Sequence, residues 1–145
     1  MSQTFTRRAL SLLLLSFSIG AVSLPADALK GGPRPLAATI WPRTELYFGT
    51  NRPDGSTVSD TEFQQFVDEH VTPRFPDGLT LLSGYGQFLN STGVIEKEQS
   101  KVLILFYPEQ TVETNRKIQL IRDLYKYKFQ QESVLRADSL SLISF

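Results

Sequence analysis

The sequence predicts an α+β domain: a four-stranded antiparallel sheet with two helices on one face. Three observations carry this. Lys101–Tyr107 (Lys-Val-Leu-Ile-Leu-Phe-Tyr) is a short run of apolar, strand-favouring residues ended by Pro108, which has no N–H for a ladder. Both of its faces are apolar, Val102, Ile104 and Phe106 on one and Leu103, Leu105 and Tyr107 on the other, so it belongs in the middle of a sheet. Two further segments, Ser59–Val71 and Thr111–Gln130, carry apolar residues at helical spacing, one before and one after this strand.

Taken in order, the chain opens on an address. Arg7 and Arg8 precede an apolar stretch, Leu10–Leu24, and a small-x-small site, Ala26-Asp27-Ala28. At about 15 residues the stretch is shorter than the ~20 of an ordinary membrane span. Residues 1–28 therefore read as a cleavable signal peptide, leaving no stable membrane anchor, and the protein is expected in the periplasm or outside the cell. The Arg7-Arg8 pair resembles a twin-arginine signal, although Ser11 and Leu12 depart from its pattern. Residues 29–41, rich in Gly and Pro, read as a flexible linker, and 42–145 as a single domain.

Within the domain, Arg43–Gly49 alternates as a first strand, with Leu46 and Phe48 on one face and Arg43, Glu45 and Tyr47 on the other. The first helix begins at Ser59, which makes a capping box with Glu62, and its stripe is Phe63, Phe66, Val67, His70 and Val71. Leu79–Leu89 is a second strand interrupted by Gly84 and Gly86, a sign of a bulge or of close backbone approach. Asn90–Gly93 turns the chain into the central strand; Asn90-Ser91-Thr92 also fits a glycosylation sequon. The second helix buries Ile118, Ile121, Leu124, Tyr125 and Phe129 and turns out a basic side of Arg116, Lys117, Arg122, Lys126 and Lys128, read as a solvated face. Glu132–Phe145 is the fourth strand. This order is that of ferredoxin-like folds, with the first and third strands in the middle.

Composition removes several functions. Fifteen basic residues balance fifteen acidic ones, so no overall field draws the chain to nucleic acid. The absence of cysteine removes disulfides, thiolate metal sites and thiol catalysis, and the single histidine rules out a histidine-rich metal site within one chain. No nucleophile elbow, phosphate loop, zinc spacing or dinucleotide fingerprint is present, and no cofactor is expected. RNA-recognition modules share the strand–helix order, and Leu46-Tyr47-Phe48-Gly49 looks like one of their stacking strands. The third strand lacks their Gly- and Phe-rich character, and no nucleic-acid partner is expected.

Helices cover one sheet face, so something is expected to cover the other: a second copy of the chain, another protein, or a small ligand. The candidate ligand-binding residues are Arg43, Glu45 and Tyr47 of the first strand and Tyr85 and Gln87 of the second, if the two sets share the open face. His70 reads as an edge-of-core histidine; with Glu45 it is a candidate base should the domain be a cofactor-free enzyme. Whether it is an enzyme is left open by the sequence.

Four separated stretches, Arg43-Thr-Glu-Leu-Tyr-Phe-Gly49, Val71-Thr-Pro-Arg-Phe-Pro-Asp-Gly-Leu-Thr80, Gly84-Tyr-Gly-Gln87 and Gln131-Glu-Ser-Val134, resemble the bacterial domain-of-unknown-function family 3574 over about Trp41 to Phe145. The resemblance implies the fold and export. Some members have lipid-anchored leaders, and this chain, without cysteine, departs from them there. It implies no catalytic role for any residue.

Overall fold

A computed structural model describes residues 38–145. The signal peptide and most of the linker expected from the sequence lie outside them. The elements are β1 (Thr39–Gly49), α1 (Asp60–Phe66, continued by a π-helical turn Val67–Val71), β2 (Thr80–Leu89), β3 (Ile95–Phe106), α2 (Val112–Phe129) and β4 (Leu135–Ile143). All neighbours in the sheet are antiparallel, in the order β2-β3-β1-β4. This is the ferredoxin-like arrangement, with β1 and β3 in the middle.

The strand faces follow the alternation in the sequence. Leu46 and Phe48 of β1 and Leu103 and Leu105 of β3 are fully buried under the helices. Against them pack Phe63, Phe66, Val67 and Val71 of the first helix and Ile118, Ile121, Tyr125 and Phe129 of the second. Tyr125 is the hub, its ring 4.5 Å from Phe48, 5.1 Å from Phe66 and 4.7 Å from Phe129, and its hydroxyl donates to Gly49 O at 2.8 Å. A buried phenol needs such a partner, because an unpaired hydroxyl in an apolar core costs about 1–3 kcal/mol.

The helix ends obey local chemistry. Ser59 and Glu62 form the reciprocal capping box, with Ser59 N donating to Glu62 Oε2 at 2.9 Å and Glu62 N donating to Ser59 Oγ at 3.2 Å. Thr111 caps α2, which ends at Gln130 in a left-handed conformation with φ 55°.

Two boundaries differ from expectation. β1 starts at Thr39, so residues 39–41 of the expected linker are strand, and Trp41 and Pro42 pair with Ser141 and Leu140 of β4. Proline is tolerated there because Pro42 O accepts from Tyr107 N at 3.3 Å while the β1–β3 register begins one residue later, at Arg43↔Phe106. β3 is longer than Lys101–Tyr107, since the polar stretch from Ile95 pairs with β2 as a hairpin arm. The turn is fixed by Asn90, whose Oδ1 accepts from Thr92 N at 3.0 Å and Val94 N at 2.9 Å.

Candidate functional site: the open sheet face

The face away from the helices carries a line of polar side chains on apolar ground. Arg43, Glu45 and Tyr47 stand at alternate positions of β1 and point the same way. Beside them on β3 lie Phe106, Ile104 and Val102, and on β4 Ser139, Ala137 and Leu135. The three polar groups are joined: the Arg43 guanidinium pairs with the Glu45 carboxylate, and the Tyr47 hydroxyl donates to the other oxygen of Glu45. Arg43 also lies over the Phe106 ring, 5.7 Å from its centroid, and its buried Nε finds no acceptor among the described residues. The hydrogen bond to Glu45, with burial and the nearby negative charge, raises the Tyr47 pKa above its ordinary 10.0; Arg43 opposes the shift.

At the Tyr47 end the face falls into a cleft of about 350 Å³. Its walls include Tyr47, Phe88 and Leu135, with Glu98 and Ser100 inside and the α2–β4 connection, Gln131 to Ser133, at its rim. The depression has a sequence cause. Gly49 and Gly84 are both opposite Ser100, and Gly86 is opposite Glu98, so three neighbouring positions carry no side chain. Of the two glycines expected to mark a bulge or a close approach, Gly84 makes the close approach, with Ser100 Oγ 3.1 Å from where its Cβ would stand, and Gly86 borders the cleft; the register runs through both without a bulge.

The structure separates the residues grouped from the sequence. Arg43, Glu45 and Tyr47 stand together as expected. Tyr85 and Gln87 do not join them: they pair with Gln99 and Lys97, whose parity is that of Leu103 and Lys101 on the helix side. Tyr85 is 68% exposed, and Gln87 only borders the cleft. The register, which no local pattern revealed, sets this difference of one residue.

His70 is on the other side of the sheet, in the π-helical turn. Its ring is 5.1 Å from that of Phe66, and it borders a surface hollow with Leu124, Tyr127 and Lys128. It cannot act together with Glu45. The basic side of α2 is largely engaged: Arg122 donates to Val134 O, and Arg116, Lys126 and Lys128 pair with Glu113, Asp123 and Glu69. Sequence reasoning missed Glu98, which is 7% exposed and whose Oε2 accepts from Thr50 N at 2.7 Å and Asn51 N at 2.8 Å. Among the described residues no group of three metal-binding side chains converges, and no helix is long and apolar enough to cross a membrane.

Fold and face together define a small ferredoxin-like domain whose uncovered sheet surface bears an arginine–carboxylate–phenol line beside a cleft. The chain belongs to the family described as protein of unknown function (DUF3574), whose model matches residues 43–145. No curated protein matches it. Among solved structures it is similar to a phage SAM lyase in complex with S-methyl-5′-thioadenosine, at 16% identity and a TM-score of 0.57, over 79% of this chain and 97% of that one. The same holds for a phage SAM lyase in the apo state, at 16% identity and a TM-score of 0.53, over 74% and 90%. Identity this low establishes a shared fold and nothing about chemistry.

Proposed function

We propose that this protein is a non-enzymatic binding domain that takes a small ligand on the open sheet face, where it also self-associates. The observation that supports the reading is the Arg43–Glu45–Tyr47 line, a few convergent polar groups on apolar ground beside a cleft, as small-ligand sites are built. Self-association is favoured by the apolar strips flanking that line, Val102, Ile104 and Phe106 on one side and Leu135 on the other. Titration calorimetry with S-methyl-5′-thioadenosine, with light scattering on the same samples, tests both uses. Heat of binding lost in Tyr47→Phe, and a dimer mass at micromolar concentration, are expected. No binding and a monomer would overturn the proposal.

A second reading, a cofactor-free enzyme at the same face, is favoured by the Tyr47–Glu45 pair and by the fold neighbour's being a lyase. In it Glu45 is the base and Tyr47 the proton donor. Turnover of SAM, absent in Glu45→Gln, would establish it; an inert wild-type protein would remove it.

The leader places this domain outside the cytoplasm in our reading. Mass spectrometry of the cell-envelope fraction is expected to find a mature N-terminus after Ala28; a full-length chain in the cytoplasm would contradict export.

A further inference from the structure

The cleft at the Tyr47 end of the face has a polarity of its own. Glu98 is 7% exposed, yet it takes part in no ion pair among the described residues. Two backbone amides, Thr50 N and Asn51 N, hold its Oε2, which fixes the carboxylate in place. Its Oε1 accepts from no described residue and lies over the side-chain-free Gly49 at the cleft floor. The two amides answer one oxygen of the carboxylate and leave the other open to the cleft, where it keeps its full acceptor capacity. Glu132 adds a second carboxylate, no lysine, arginine or histidine borders the cleft itself, and Arg52, which borders the adjoining hollow that shares Phe88, Glu98 and Glu132, is paired with Glu62. Tyr47, Phe88 and Leu135 are among the residues that line it. A fixed anion, aromatic faces and no competing side-chain cation suit an alkylated ammonium or a similar onium group better than a bare metal ion.

We infer that this cleft takes a small organic cation, with the Glu98 carboxylate as its counter-charge. The inference rests on the open face being a ligand site and names the ligand class for it. Phe88 and Tyr47 supply the ring faces against which the alkyl groups of the cation pack. Ser100, between the glycines, adds a hydroxyl at the floor.

The test compares choline with its uncharged isostere dimethylbutanol on the full chain, followed through the amide signals of Thr50 and Asn51. Choline is expected to bind at least about ten-fold tighter, equivalent to about 1.4 kcal/mol. Glu98→Gln, which keeps an acceptor for the two amides, is expected to bring the ratio to about one. Equal binding of the two probes to the wild-type protein overturns the inference without any variant, and so does a preference that survives Glu98→Gln. S-methyl-5′-thioadenosine serves as the control arm. If it shifts Tyr47 and Ser100 while choline shows no preference, the ligand class is wrong and the site stands. If neither probe shifts the face, both fail.

Discussion

The carboxylate of Glu98 occupies the space where a side chain on Gly49 would begin: a Cβ built there lies 2.8 Å from Glu98 Oε2 and 2.9 Å from its Cδ. The two residues therefore constrain each other across the β1–β3 pair. In Gly49→Ala the carboxylate must leave its two amides or the strand must shift, and a loss of about 1–3 kcal/mol is expected from overpacking. Gly86→Ala is the contrast, because its nearest neighbour is Ser100 at 3.8 Å. That change is expected to be neutral or stabilising by about 0.5–1 kcal/mol, since alanine is favoured over glycine within a strand. Urea denaturation of the two variants measures the difference, and equal effects would show that Glu98 is not packed on Gly49.

Tyr47 is expected to hold its proton beyond the range of a free phenol, because ionising it puts a second negative charge beside Glu45. Buried Tyr125 is raised as well, by desolvation first and the Glu98 charge second. A raised phenol pKa means the folded chain binds the proton more tightly than the unfolded one. The contribution is present below pH 10 and is lost as the pH rises above it. Spectrophotometric titration is expected to show a late phenol signal that Tyr47→Phe and Tyr125→Phe each reduce. A titration whose late part neither substitution alters would refute it.

The capping box gives the acid side of the profile. Ser59's amide and hydroxyl, with Arg52, hold the Glu62 carboxyl down to about 2, from an ordinary 4.5. A depressed carboxyl stabilises the fold above its unfolded pKa, and the contribution disappears as pH falls from 4.5 towards 2. Ser59→Ala removes the cap and is expected to cost about 1 kcal/mol at neutral pH. Glu62→Gln is expected to flatten the acid limb of stability against pH. An unchanged limb would show that the box contributes nothing there.

Gln130 carries a φ of 55°, where a side chain is strained and glycine is not. Gln130→Gly is expected to stabilise the end of α2 by about 0.5–1 kcal/mol, read as a higher urea midpoint. A loss of stability would show that the glutamine side chain matters more than the backbone strain.

Elements with a local cause were legible in the sequence. The doubled apolar faces of Leu103–Phe106 placed β3 in the sheet centre, and Ser59 with Glu62 fixed the start of α1, because one residue's neighbours decide such features. The Arg43–Glu45–Tyr47 line followed from strand alternation alone. The condition on which Tyr85 and Gln87 join Arg43, a shared face, depends on the β2–β3 register, a non-local quantity that one residue of slip inverts, and the register does not meet it. Glu98 was invisible for a related reason. Nothing near it in sequence shows that Gly49, 49 positions before it on another strand, leaves the hole it fills. His70 stands where its spacing puts an edge-of-core histidine, with its ring 5.1 Å from that of Phe66 and its side chain 27% exposed in the π-helical turn.

The central claim is that the sheet face bearing Tyr47, and not the helical side bearing His70, receives the ligand. Mapping amide shifts on the full chain while S-methyl-5′-thioadenosine is added tests it most directly. The account predicts changes concentrated at Tyr47, Thr50, Glu98 and Ser100. Changes confined to His70, Leu124 and Tyr127, or none at saturating ligand, would contradict it.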